Sequence, residues 1–464
     1  MKTSRLQRWF GPWTVVLLFF VLLSGSVQAA SLGERFERTL GGSAVPEILK
    51  QYGGEHVLPI GQRMWVEEIF RRLVEVTERE DVDYTLTILN SSELNAFALP
   101  GGYVFITRGL ISAIGRDEAE LAAVLGHEIT HIERKHGVNA VLRQMGLAVL
   151  LEVGVMTLDL ASADLLRVAS ATLLQLVSLG WGREAEYEAD LSGQALAVKA
   201  GFDGVGAVSL LDDVFTVGSE DLPMKIFRTH PDTRIRRDRL EAALVSFWST
   251  PVVVEDRDVV ERLNASRNSK QARRNDPGGR YVVIVPDEGA GLHVFDQQVR
   301  QYVTWFENTK VHDFAWSPQG QYIALIVNEG SQRQLWIGDR WGKKTKSVGL
   351  SGQAITEMSW SPQGNQLAIL VDGPMGSEVM VTYLEADVLL QVGGDFTGES
   401  SIWLDTGLYF AHGDMWYHTS APKVSPVTIR NPVPQVLQRQ RILSPTVIKE
   451  GNTIRLTRPS LTIP

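Results

Sequence analysis

His127-Glu128-Ile129-Thr130-His131 sets two imidazoles four residues apart, with a carboxylate directly after the first. On a helix, positions i and i+4 project from one side a turn apart. That is the spacing a tetrahedral Zn²⁺ needs from two of its ligands. Glu128 sits one residue round from that line, placed to take a proton from a water at the metal. A third ligand has to come from elsewhere. The pattern HExxHxxGxxH would need glycine and histidine at positions 134 and 137, but Arg134 and Gly137 stand there and His136 falls one residue short. The other arrangement takes a glutamate from a later helix, within ExxxD. Glu186 and Asp190 supply it, 55 residues after His131. They share a helix face, so one can ligate while the other accepts the free ring N–H of a ligating histidine and fixes its tautomer.

These residues need helices to hold them. Asp117 is a suitable N-cap, Glu118 and Glu120 suit a first turn, and Gly137 suits the position just past the end. Leu121, Val124, Leu125, Ile129 and Ile132 recur at helical spacing, which predicts one apolar face.

Four ordered segments carry a family resemblance. They are Asn95–Leu110 (NAFALPGGYVFITRGL), Glu118–His131, Arg183–Asp190 (REAEYEAD) and Thr229–Thr233 (THPDT). With them, roughly residues 60 to 245 resemble the gluzincin-type metallopeptidases of family 48 of the metallo class. The resemblance implies that His127, His131 and Glu186 hold one zinc ion, that Glu128 is the catalytic base, and that Asp190 accepts a ligand's ring N–H. It also implies that the strand after Pro100-Gly101-Gly102 lies along the cleft, where an extended substrate would pair with it. The same resemblance brings His230 beside the metal, to stabilise an oxyanion or to fill the fourth coordination position. Arg236 stands where the family has arginine, whereas Arg237 replaces an apolar residue and leaves the register of that helix open. His136 is expected to be a helix-end cation and no ligand. Glu184 and Glu188 are expected to face away from Glu186, as solvated or structural groups.

Composition bounds the rest. A chain of 464 residues with 44% hydrophobic and 21% charged residues suggests two globular domains. A net charge of -9 and the lack of a basic stripe speak against nucleic-acid binding. There is no cysteine, so disulfides, thiolate zinc sites and cysteine nucleophiles are excluded.

Along the chain, Lys2, Arg5 and Arg8 precede an apolar run from Trp13 to Leu23 and then small residues up to Ala29. This reads as a cleavable secretory signal over 1–29, with an uncleaved membrane anchor as the alternative. Residues 62–79 have helical periodicity through Trp65, Ile69, Leu73 and Val76. Tyr84, Leu86 and Ile88 alternate as in a strand with one buried face. Residues 145–180 are apolar, yet Glu152, Asp159, Asp164 and Arg167 interrupt them, which favours buried or lid-like helices over a span. Contact with a membrane surface is the alternative there. Residues 251–279, whose second half is polar, read as a linker.

Beyond the linker a repeat appears. Phe314–Leu325 (FAWSPQGQYIAL) returns as Met358–Ile369 (MSWSPQGNQLAI), with 44 residues from Trp316 to Trp360 and 43 more to Trp403. That period, with about four strands per unit, is a propeller signature resembling TolB repeats. Four copies are visible, and a fifth would follow if the strands around 446–448 and 453–456 closed the ring. The expected architecture is therefore multidomain: a mainly α metallopeptidase domain with a small edge sheet at 30–250, and an all-β propeller-like domain at 280–464. The expected function is that of a periplasmic zinc endopeptidase; the family resemblance implies unfolded or misassembled envelope proteins as substrates, with the propeller docking to outer-membrane assembly machinery. The alternative is a zinc-stabilised chaperone or adaptor with vestigial activity; an intact Glu128 argues against it.

Overall fold

The computed structural model describes residues 33–146, 163–217, 230, 233–267, 274–286, 289–329, 332–348, 354–373, 376–423, 446–450 and 453–457. The expected signal segment and much of the apolar stretch, residues 147–162, lie outside them. The chain divides into two units. One takes residues up to 202, 217–236 and 425–464; the other takes 203–216 and 237–424.

The first unit is helical around one sheet. Helix α1 (residues 33–51) and α2 (Ile60–Glu75) lead to β1 (Tyr84–Leu89), β2 (Ala96–Leu99) and β3 (Tyr103–Thr107). Then come α3 (Arg108–Ile114), α4 (Glu118–Glu133), α5 (His136–Gln144), α6 (Ala163–Leu179) and α7 (Arg183–Lys199). Strand β3 pairs parallel with β1 and antiparallel with β2, which puts β2 at the sheet edge. The β2–β3 turn depends on two glycines at positive φ, Gly101 and Gly102. A Cβ on Gly102 would stand 2.2 Å from the Asp83 carbonyl oxygen, so only glycine fits this approach. All six residues of β1 are buried, rather than one alternating face, because the strand is covered on both sides. Leu40, Ala44, Ile48, Phe97, Phe105, Val141, Leu173 and Val177 form one core between α1, the sheet, α5 and α6. Helix α6 thus buries one face, as expected for its stretch, while Val168 and Leu179 stay exposed. Among the described residues, no single helix is long and apolar enough to cross a membrane.

Helix α4 begins as its sequence dictates, with the Asp117 carboxylate accepting from the Glu120 N–H at 2.8 Å. Its end differs from expectation. Lys135 takes the left-handed conformation (φ 56°) and turns the chain, and Gly137 lies inside α5. Nor is α4 apolar on one face only: every residue from Glu120 to Ile132 is buried.

The second unit contains α8 (Gly206–Val217), most of α9 (Thr233–Leu244), β4 (Val252–Val253), α10 (Arg257–Arg267) and strands β5 (Tyr281–Ile284) to β18 (Met415–Thr419). The strands form the antiparallel sheets β5–β7, β8–β11, β12–β15 and β16–β18, one for each repeat, and they do not close a ring. Trp316 and Trp360 recur as core residues, and the Trp360 indole N–H donates to the Ala315 carbonyl of the preceding sheet at 3.0 Å. Two expectations are corrected. The linker region holds α10, whose Leu263 is fully buried, and β4, which adds a fourth strand to β16–β18. The C-terminal strands β19 (Thr446–Glu450) and β20 (Thr453–Thr457) do not extend the repeats; β20 pairs with β1 of the first unit.

Candidate metal centre

The centre is built where α4 and α7 cross. Gly126 and Gly193 let the two backbones touch: a Cβ on Gly193 would lie 2.7 Å from the His127 nitrogen and 2.8 Å from its Cα. This contact brings Glu186, two turns before Gly193, against the two histidines of α4. His127, His131, Glu186 and His230 are all buried, and each offers one ligand atom within 4.8 Å of the others. The Nε2 atoms of His127 and His131 are 3.0 Å apart. Glu186 Oε2 lies 3.4 Å from His127 Nε2 and 2.7 Å from His230 Nδ1, and Oε1 lies 3.7 Å from His131 Nε2.

Around these atoms the charges are fixed from behind. His127 Nδ1 is 3.0 Å from Asp190 Oδ1. Arg236 donates from Nε and Nη2 to both Asp190 oxygens at 2.7 Å, and from Nη1 to the His230 carbonyl at 3.1 Å. Arg236 is the inward residue of α9, then, and Arg237 turns to Asp212 in the second unit at 2.7 Å. Burial alone would lower the His127 pKa, but hydrogen bonding to Asp190 and Glu186 outweighs it and raises it to about 10. Burial raises the pKa of Glu128. It lowers His131 well below the usual range, helped by His127. Glu186 is held well below its ordinary value against burial, chiefly by His230 and His127.

The donor set fits zinc: two imidazole nitrogens and a carboxylate oxygen, with no thiolate, and one further nitrogen in reach. The orphaned atoms agree. Glu186 Oε1 and Glu128 Oε2 are buried without a hydrogen-bond partner among the described residues, and two ring nitrogens face each other. A divalent cation among them would relieve both conditions.

Residues 61–244 match peptidase family M48. They form an M48 domain. Residues 292–388 match the beta-propeller domain of lipoprotein LpqB. Among curated proteins, the chain is 27% identical over 235 residues to the mitochondrial metalloendopeptidase OMA1 of Schizosaccharomyces pombe, covering 50% of this chain and 68% of that one. It is 29% identical over 166 residues to the OMA1 of Arabidopsis thaliana, covering 36% of this chain and 33% of that one. It is 25% identical over 235 residues to the beta-barrel assembly-enhancing protease of Escherichia coli (strain K12), covering 47% and 45%. The chain thus spans less than half the length of the latter two relatives.

Two residues of the M48 domain were not legible as part of the site. His136 is no isolated helix-end cation: its Nδ1 lies 2.8 Å from His131 Nδ1, and its Nε2 lies 3.2 Å from Glu188 Oε2. Glu188, placed by periodicity on another face of α7 from Glu186, reaches the centre through this histidine. The left-handed turn at Lys135 brings His136 back beneath His131, and strict helical counting does not anticipate it. Glu184 is exposed.

Proposed function

We propose that the chain is a zinc-dependent endopeptidase of the bacterial envelope, acting on unfolded or misassembled envelope proteins. The carrying observation is the buried cluster of His127, His131 and Glu186 with Glu128 beside it. Zinc held there supplies a Lewis acid for the scissile carbonyl and lowers the pKa of a nearby water. Glu128 takes the proton of the attacking water and passes it to the leaving amine, and a carboxyl whose pKa is raised by burial is suited to both steps. Asp190, locked by Arg236, keeps the His127 ring turned toward the cluster. Strand β3, expected along the cleft, lies between β1 and β2 and offers no edge; β2 borders the site instead, with the Ala96 carbonyl 3.4 Å from His230 Nε2, so an extended substrate has that strand to pair with. His230 places Nδ1 among the ligand atoms and Nε2 3.5 Å from Glu128 Oε1. In this position it can fill the fourth coordination place at the metal, beside Glu128.

The envelope assignment draws on the signal-like segment 1–29 and on the assembly-enhancing protease among the relatives. The propeller-type repeats are the docking module in this reading, with outer-membrane assembly machinery as partner. The test compares wild type with Glu128→Gln at equal zinc content on an unfolded protein substrate. Cleavage is expected to fall at least about 100-fold. Equal cleavage removes the reaction from this site; no cleavage by either protein, with aggregation still suppressed, favours a zinc-stabilised chaperone.

A further inference from the structure

His131 has two ring nitrogens, and the metal cluster uses one. Nε2 faces His127 and Glu186, while Nδ1 points away to Nδ1 of His136 at 2.8 Å. An imidazole nitrogen that gives its lone pair to a cation leaves the hydrogen on the other nitrogen, so Nδ1 of His131 must donate. His136 Nδ1 can then only accept, and its own hydrogen sits on Nε2. That atom lies 3.2 Å from Glu188 Oε2, an acceptor. One order of hydrogens satisfies all three residues: His131 donates to His136, and His136 donates to Glu188. Arg134 Nε stands 3.4 Å from the other Glu188 oxygen and steadies the carboxylate.

We propose that His136 and Glu188 are positioning residues that fix the tautomer and orientation of His131, and so set how tightly the centre holds its cation. The proposal rests on the zinc reading above. The two histidines of α4 are then served differently. His127 meets a carboxylate directly, through Asp190 at 3.0 Å. His131 meets one at one remove, through an intervening imidazole. Removing such partners of a ligating histidine costs about 10- to 100-fold in metal affinity.

The role depends on the sense of two hydrogen bonds, and this separates it from simple packing at the start of α5. Zinc affinity of the full chain is measured by competition with a chelator for wild type, His136→Asn, His136→Leu, Glu188→Gln and Glu188→Lys. Asparagine places its side-chain oxygen where Nδ1 stands and can still accept from His131, so it is expected to stay within a few-fold of wild type. Leucine offers neither bond and is expected to lose about 10- to 100-fold. Glutamine at 188 still accepts and is expected to retain affinity, whereas Glu188→Lys is expected to behave like His136→Leu. Glu188 is half-exposed, so its variants keep the test open if His136→Leu does not fold. Wild-type affinity in both His136→Leu and Glu188→Lys would overturn the proposal, as would equal losses for asparagine and leucine. Failure of the wild type itself to bind zinc would instead overturn the metal reading beneath it.

Discussion

Asp190 and Glu188 sit two residues apart on α7, yet they reach different imidazoles by different routes. The i, i+4 pairs His127/His131 and Glu186/Asp190 were legible because helical spacing fixes both members at once. Arg236 was legible only by resemblance, and its bidentate hold on Asp190 explains why arginine rather than lysine suits the place. His136 escaped because one left-handed residue resets the helical count. The charge balance at this scale has a measurable consequence. With its pKa raised to about 10, His127 carries a proton in the metal-free protein at neutral pH, and a cation must displace it. Raising the pH toward 10 removes that competing proton, so zinc affinity should climb roughly tenfold per pH unit between pH 6 and 9. Chelator competition across that range reads it; a flat profile would show that no proton on His127 competes with the ion.

At the scale of elements, the crossing of α4 and α7 determines the distance between the histidine pair and Glu186. Helical spacing predicts one apolar face for α4. In the structure the helix is buried all round, because its polar side faces α7, β2 and the segment at His230. Amphipathic pattern alone cannot tell a polar face turned to water from one turned to a polar site. The glycine contact makes this crossing testable. Gly193→Ala would push a Cβ into the His127 backbone. We expect a loss of about 1–3 kcal/mol of stability and weaker zinc retention, read by thermal unfolding and metal content. An unchanged melting temperature with full zinc would mean that the helices approach less closely than described.

For the whole molecule, the repeat period announced the β-sheets; Trp316 and Trp360 are core, as expected for blades, whereas Trp403 is only half-buried. The last hairpin was not placed correctly. Short alternating strands carry no address in their own sequence, and the available edge of β1 decides where β20 pairs. The linker region was likewise too polar to announce a packed helix, since α10 buries one residue fully, Leu263. Ending the chain at residue 445 should bare the β1 edge. Amide exchange over residues 84–87 is then expected to quicken about tenfold or more, by peptide-level mass spectrometry, while the sheets of the second unit keep their protection. Unaltered exchange in β1 would show that the hairpin does not pair there in solution.

Two α4 histidines and one α7 carboxylate are proposed to share a single ion. Anomalous diffraction at the zinc edge, from crystals of the metal-loaded protein, tests this most directly. One peak is expected about 2.0–2.2 Å from His127 Nε2, His131 Nε2 and a Glu186 oxygen. A zinc peak elsewhere, with these three residues unliganded at stoichiometric metal, would contradict it.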